Sequence, residues 1–452
     1  MVLLRRAIWK TKQGLEGQVL PHLRALRRWQ WSSRDECRHL QEERLSALLR
    51  HAYGHVPYYR QVLADCGVVV DGNVHLGRFT ELPLLDKAAI REAKEGLHSD
   101  DLMRRRVYRN SSGGSTGEPI QLLQDKTYRD WMTAVKILFD EWTGYRLGER
   151  KLILWGSERD LKAVRRSWFR RVGEWARNEH RLNAFCMTPD DMRAYAAEIT
   201  AFDPRQLLAY AESLYELARF IEREGLETCP PHAIMTSAGT LSPEMRGVIE
   251  RVFRAKVFNR YGSREVGDIA CESEAHDGML ICAPTHYVEL LGPDGAPVAP
   301  GEAGEVVITN LVNFAMPLIR YRIGDMAEWA GQESGCGRHW PLLRGVTGRV
   351  SDYFTRVDGA RVRIPTAFFS EEPWIRKYQV IQEELSRVRL LIVADGPTPR
   401  DRLELVMDRI RQLMGETCRI EFEEVDDIAP SASGKYRYSI SKVTEQAGTE
   451  RH

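Results

Sequence analysis

Residues 110–119 read Asn-Ser-Ser-Gly-Gly-Ser-Thr-Gly-Glu-Pro, and they carry the clearest chemistry in the chain. Three glycines and four hydroxyls (Ser111, Ser112, Gly113, Gly114, Ser115, Thr116, Gly117) expose backbone N–H groups and short donors, the groups that cradle phosphate oxygens. No Gly-Lys-Ser/Thr follows, so this is not a Walker loop, and on its own the run also suits a plain hairpin turn. A second set, Cys271, His276, Cys282 and Cys336, combines thiols and an imidazole that suit tetrahedral structural Zn²⁺. Its spacing is looser than a paired Cys-x2-Cys, which leaves scattered buried thiols as the other reading.

Further segments follow the loop in order: Tyr261-Gly262-Ser263-Arg264-Glu265, Arg320-Tyr321-Arg322-Ile323-Gly324-Asp325, Gly348-Arg349-Val350-Ser351-Asp352 and Ser433-Gly434-Lys435. Together with the loop, they make the chain resemble the adenylate-forming superfamily of acyl-CoA synthetases, luciferases and peptide-synthetase adenylation domains. Ala52-Tyr53, Val56-Pro57-Tyr58-Tyr59, Thr309-Asn310-Leu311 and Pro317–Arg322 resemble the phenylacetate-CoA ligase and capsular-polysaccharide-biosynthesis branch. The resemblance runs from about Leu45 to Lys442.

The resemblance implies activation of a carboxylic acid by ATP to an acyl-adenylate, then transfer to a thiol, with CoA as the acceptor. It assigns Ser111–Gly117 to the phosphates, Ser237-Ala238-Gly239 and Tyr261 to the adenine, and Gly262-Ser263 to the α-phosphate. It further assigns Asp325 to the ribose hydroxyls, Arg349 to the ribose or α-phosphate, and Glu265 to Mg²⁺. Lys435, on a mobile domain after a hinge at Asp352, would bridge the carboxylate and the α-phosphate as charge builds. Some members of the branch carry a Cys/His zinc cluster, with a Cys before Gly-Arg that Cys336-Gly337-Arg338 matches. Glu118 and Arg264 depart from the residues relatives commonly place there. Transfer to an amine, sugar or carrier protein, and a degenerate nucleotide-binding scaffold, are the alternatives.

These residues need a scaffold to position them. Helical spacing covers Glu36–Leu63, broken at Val56-Pro57. After Arg104, short apolar runs such as Lys151–Gly156 and Ala233–Ser237 alternate with helical segments, which is α/β patterning. Ser242 and Pro243 open one such helix. From Glu289, frequent Gly and Pro around Glu305–Thr309 predict an antiparallel, β-barrel-like subdomain. The last hundred residues read as a small α+β unit: strand Val388–Val393, a helix from Thr398-Pro399, strand Arg419–Phe422. The expected division is a large domain over 1–351, its first hundred residues mainly helical, and a small lid over 352–452. Trp131, Phe139 and Tyr210 would suit the lining of a pocket for an aryl acid, although aromatics in α/β cores are usually packing.

The chain has 452 residues, with 65 Lys and Arg against 64 Asp and Glu for a net charge of +1, which argues against a dedicated nucleic-acid binder. No run reaches the length of a spanning helix, the start is interrupted too soon by Arg5 and Arg6 for a signal-peptide core, and eight scattered cysteines do not form a secreted disulfide scaffold. A cytoplasmic location is the expectation. Residues 1–30 carry seven basic groups against one acid among Leu3, Leu4, Ile8, Trp9 and Trp29, suited to an anionic membrane surface, a partner, or a helix packed on the body. The basic run Arg165–Arg171 suits an anionic acceptor such as the CoA 3′-phosphate, or a solvated helix face.

Overall fold

A computed structural model describes residues 1–112, 120–156, 175–184, 187–349, 352–362, 364–365, 367–370, 372, 374–428 and 438–443. The chain opens with four helices, α1 (Val2–Glu16), α2 (Val19–Trp29), α3 (Arg34–His55) and α4 (Pro57–Asp65). Ser33 and Glu36 form a reciprocal capping box at the start of α3. The break falls at Val56, whose extended backbone before Pro57 stops one helix while Pro57 starts the next. Strands β1 (Val69–Val70) and β2 (Asn73–Val74) and the short helix α5 (Lys87–Ala93) follow. Val19, Leu23 and Leu26 of α2 are buried, so the basic N-terminal stretch is, over this helix, a helix packed on the body.

Strands β3 (Val107–Ser111) and β4 (Gln121–Asp125) form the hairpin flanking the Ser/Gly loop, and helix α6 (Lys126–Trp142) leaves it directly. Asp125 caps α6 by accepting the Tyr128 N–H. An α/β run comes next: β5 (Lys151–Leu154), β6 (Glu179–Leu182), α7 (Pro189–Phe202), β7 (Gln206–Tyr210), α8 (Ala211–Arg223), β8 (Ala233–Ser237), α9 (Pro243–Phe253) and β9 (Val257–Ser263). As the sequence predicts, Ser242 caps α9 and Pro243 sits in its first turn. These strands pair in parallel in the order β6-β5-β7-β8-β9; β5, β7 and β8 are buried along their whole length, the pattern of strands covered on both faces, while the edge strand β6 is polar and partly exposed.

Strands β10 (Gly267–Glu272), β11 (Met279–Ile281), β12 (His286–Leu291), β13 (Ala303–Asn310), β14 (Tyr321–Trp329) and β15 (Leu342–Arg349) are antiparallel. Register shifts at Asp268/Ala270, Glu305/Val307, Met326/Ala327 and Glu328/Trp329 bend this half. The barrel-like region foreseen from the Gly and Pro content does not stand apart. Its strands continue from β9 into one sheet of eleven described strands.

Past residue 352 come β16 (Phe354–Thr355), β17 (Arg361–Val362), α10 (Ala367–Ser370), β18 (Ile375–Glu384), β19 (Arg387–Ala394), α11 (Arg400–Met414), β20 (Arg419–Glu424) and β21 (Ser439–Ser441). Four of these strands form a separate sheet, β20-β19-β18-β21, and α11 buries Val406, Ile410 and Met414. Phe354, Phe369, Val380, Leu390 and Val406 belong to a core of their own. Among the described residues, no helix is long and apolar enough to cross a membrane.

Candidate active site

The site lies at the carboxyl ends of β8 and β9, where ligands collect in open α/β sheets. Tyr261 of β9 is buried, and its hydroxyl donates to Asp325 Oδ2 at 2.8 Å. Asp325 stands opposite Arg349 across β14 and β15, with Arg349 Nε 3.2 Å from Asp325 Oδ1. Burial pushes the Tyr261 phenol well above its ordinary pKa, and the neighbouring Asp325 carboxylate pushes it further. At Arg349, burial opposes the charge, but Asp325, Asp352 and Glu265 hold its pKa above the usual value. Arg349 also donates its backbone N–H to Asp352 Oδ2 at 2.8 Å. Tyr261, Asp325, Arg349 and Glu265, spread over almost ninety residues, therefore occupy one place.

Ser237 ends β8 and is buried. Ala238 follows with φ +68, a left-handed conformation costly for a residue with a Cβ. A Cβ at Gly239 would meet the Glu212 carboxylate of α8, the end of a flexible side chain that would have to move aside. Gly262 and Ser263 complete β9, and Ser263 Oγ accepts the Val266 N–H at 3.3 Å in the turn that carries Glu265.

That turn is held from two sides. Asn110 Nδ2 and Gln124 Nε2 both donate to the Arg264 carbonyl, at 3.2 and 3.0 Å, which ties the β3–β4 hairpin to the Glu265 turn. From beneath, His286 Nε2 and Asn310 Nδ2 reach the Val266 carbonyl at 2.9 and 3.1 Å. Arg264 is thus used through its backbone, and its side chain is exposed. Burial drives the His286 pKa down to about 4, so the ring is neutral at pH 7 and donates through Nε2. Asn310 belongs to the Thr309-Asn310-Leu311 segment singled out in the sequence, and its part is to shape this turn.

Ser111 ends β3. Ser112 is buried, and its Oγ accepts the Ile120 N–H at 3.0 Å, closing the neck of the loop. Gly113, Gly114, Ser115, Thr116, Gly117 and Glu118 lie outside the described residues, as do Ser433, Gly434 and Lys435 and the basic run Arg165–Arg171.

Sequence reasoning passed over Lys87, the first residue of α5, whose turn is capped by Asp86 accepting the Ala89 N–H at 2.8 Å. Burial and the Arg349 charge lower its pKa, while Glu265 and Asp325 act in the other direction, so a second cation shares the site with Arg349. Its segment is carried there by Leu85, which exchanges backbone hydrogen bonds with Arg320 and Arg322 at 2.9 and 2.8 Å. Arg320 itself is buried and paired with Glu289 at 3.0 Å. Local sequence around Lys87 reads only as a capped helix start; no periodicity announces a neighbour more than 170 residues away.

One expectation is corrected. Cys271, His276, Cys282 and Cys336 do not assemble a metal site: among the described residues no three His, Cys, Asp or Glu side chains are placed to hold an ion. Cys282 is buried near Arg44 and Cys37, His276 packs its ring against Phe258 at 4.5 Å, and Cys336 accepts from Ser334 Oγ at 3.1 Å. Cys271 is wholly buried on β10, where desolvation pushes its thiol well above the ordinary pKa and disfavours a thiolate ligand. For two of the acyl-pocket candidates the structure bears out the packing alternative. Trp131 stacks on His22 of α2 at 3.8 Å under the Arg44 guanidinium, and Phe139 is fully buried against Trp142, so both are core. Tyr210 stacks on Trp155 at 4.0 Å, at the carboxyl ends of β7 and β5.

A parallel sheet extended by bent antiparallel strands, a separate C-terminal unit, and Tyr261, Asp325, Arg349 and Glu265 gathered at the strand ends are the arrangement expected of an adenylate-forming ligase. The fold matches the 2-hydroxyisobutyryl-CoA ligase in its postadenylation state, with a TM-score of 0.70 and 20% identity over 94% of this chain and 93% of that one. The amide bond synthetase McbA from Marinactinospora thermotolerans matches at a TM-score of 0.51 and 17% identity, over 75% of this chain and 68% of that one. Residues 356–442 match the family model described as the CapK C-terminal domain. Protein CapK of Staphylococcus aureus is 20% identical over 89% of each chain. The phenylacetate-coenzyme A ligase of Escherichia coli is 27% identical over 71% of this chain and 73% of its own length. Over most of its length the chain is thus similar to phenylacetate-CoA ligases and to CapK.

Proposed function

We propose that this protein uses ATP to convert a carboxylic acid to an acyl-adenylate and then transfers the acyl group to the thiol of CoA. In the first step a carboxylate oxygen attacks the α-phosphorus and the bond to pyrophosphate breaks. In the second, the thiol attacks the acyl carbon and AMP leaves. The observation that carries the reading is the Asp325 carboxylate, oriented by Tyr261 and Arg349 beside Glu265 and Lys87. Two anions must meet in this reaction, so the site has to supply cations and donors more than acid–base groups. Arg349 and Lys87 supply positive charge, and Asp325 offers two acceptor oxygens to the two ribose hydroxyls.

Mg²⁺ asks for one or two carboxylates besides phosphate oxygens and water, and the half-buried Glu265 fits that demand; the ion would neutralise phosphate charge. The loop Ser111–Gly117, closed at its neck by Ser112, would surround the phosphates with N–H and hydroxyl donors. Residues 1–351 form the nucleotide-binding body in this reading, and 352–452 the lid that carries Lys435 to the reacting carboxylate and away again.

Pyrophosphate exchange with a panel of carboxylic acids, repeated with CoA, tests the proposal. Exchange with at least one acid and CoA-dependent thioester formation are expected, and Lys435→Ala abolishes exchange with the melting temperature unchanged. Exchange with no acid refutes the activation step. The neighbouring amide bond synthetase supports a second reading in which an amine takes the acyl group; adenylate formation without CoA turnover favours it.

A further inference from the structure

Helix α1 is covered on one side only. Trp9 is 4% exposed, Arg6 Nε donates to the Leu147 carbonyl at 3.2 Å, and the Arg5 guanidinium lies over the Trp175 ring at 4.9 Å. A Cβ at Gly148 would come within 3.2 Å of the Val2 carbonyl, so the first turn of the helix rests on this glycine. Leu3, Leu4, Ala7, Lys10 and Thr11, by contrast, are exposed, Leu3 at 77% and Leu4 at 55%. Their spacing of i, i+1, i+4, i+7 and i+8 puts them on one face. That face starts apolar and continues to a cation, with the exposed Met1 ahead of it and the half-exposed Trp175 beside Arg5. Single exposed apolar side chains are ordinary, whereas Met1, Val2, Leu3 and Leu4 are contiguous.

Positive charge gathers in the same place. Residues 1–30 carry a net +6 in a chain whose net charge is +1, so the rest of the molecule is net acidic. Helix α2 lies against α1 and buries Val19, Leu23 and Leu26, which turns Arg24 and Arg28 to the outside. Arg27 is paired with Glu141, but Lys10, Arg24 and Arg28 have no acidic partner among the described residues. Aliphatic side chains at a helix start, a Trp at their edge and unpaired cations around them suit the headgroup boundary of an anionic bilayer. A symmetric contact with a second copy would set these cations against themselves. Leu147 and Gly148 precede β5, and Trp175 precedes β6, so this face lies at the amino ends of the parallel strands, while the candidate site lies at their carboxyl ends.

We infer that α1 and the basic face of α2 dock this protein on an anionic membrane surface, α1 lying in the interface with Leu3 and Leu4 among the headgroups and Lys10, Arg24 and Arg28 on the lipid phosphates. The attachment is peripheral and reversible. It stands independently of the acid-activation reading, and it turns the strand ends that carry the nucleotide site away from the bilayer.

Co-sedimentation of the full chain with vesicles of phosphatidylcholine alone, and of phosphatidylcholine mixed with phosphatidylglycerol, tests the inference. Binding to the mixed vesicles only is expected, and it weakens as salt is raised, because the attraction falls off within a Debye length. Leu3→Ser combined with Leu4→Ser should weaken binding roughly tenfold or more, for the apolar surface no longer withdrawn from water. Arg24→Gln combined with Arg28→Gln should weaken it roughly tenfold, and both variants keep the melting temperature of wild type, since the substituted side chains are exposed. Equal binding to both vesicle types, binding to neither, or binding undiminished in either variant overturns the inference. An oligomer of wild type that the leucine substitutions disperse, with no vesicle binding, assigns the face to a second copy and overturns it as well.

Discussion

Asp325→Asn tests the nucleotide site directly, because the substitution preserves shape while removing the charge and turning one acceptor oxygen into a donor. Two donors converge on the carboxylate, the Tyr261 hydroxyl at 2.8 Å and the Arg349 guanidinium at 3.2 Å. In the amide, one acceptor oxygen becomes an NH2 group, so one of these donors faces another donor, and a ribose finds one acceptor oxygen where there were two. A hydrogen bond to a charged group contributes about 1.5–3 kcal/mol, which corresponds to a loss of roughly 10- to 150-fold in ATP affinity. Calorimetric titration with ATP, alongside thermal unfolding of both proteins, reads the effect. Tyr261→Phe removes a single donor and should cost about tenfold, at the low end of that range. The double variant should lose less than the two losses combined, since Phe relieves the donor conflict that Asn creates. An Asp325→Asn protein that binds ATP within twofold of wild type, with its melting temperature unchanged, would refute the assignment of Asp325 to the nucleotide.

The tie between the hairpin and the Glu265 turn makes a separate prediction: Asn110→Ala combined with Gln124→Ala should raise KM for ATP about tenfold, for the two neutral hydrogen bonds lost, in steady-state exchange kinetics. An unchanged KM would show that the loop finds its place without them. His286 predicts a pH dependence of stability. Its pKa is about 4 in the folded chain against 6.5 for an exposed ring, so the unfolded state binds the extra proton first and stability falls as pH drops below 6.5. Its share between pH 7 and 5 is about 2 kcal/mol. Urea unfolding of wild type and His286→Gln at both pH values should show that difference as the slope missing from the variant.

Legibility followed the range of the interaction. The break at Val56-Pro57, the cap at Ser242-Pro243 and the strand at Ala233–Ser237 each depend on a few adjacent residues, and each stands where local pattern puts it. The motif residues Tyr261, Asp325 and Arg349 do meet. Their meeting depends on the antiparallel register of β14 and β15 and on the curvature that bulges introduce, neither of which is visible in the individual segments. The zinc set failed for the same reason in reverse: residue types that suit a ligand shell were directed by the fold to separate neighbours. For Trp131 and Phe139 the sequence left pocket and packing both open, because an aromatic in a helix has the same signature whether it lines a pocket or packs against α2 and Trp142.

By itself, the sequence determined the order of α/β elements and the candidate groups of the site: a Ser/Gly loop and the Asp325 and Glu265 carboxylates within short motifs. Those are properties of residue type and short spacing. Only the tertiary structure decided which distant groups share that space. It added Lys87 through the Leu85 backbone pairing, turned Arg264 into a carbonyl anchor, and left Leu3 and Leu4 uncovered. Desolvation and hydrogen-bond satisfaction depend on everything packed around a group, and that environment exists only once the sheet has formed.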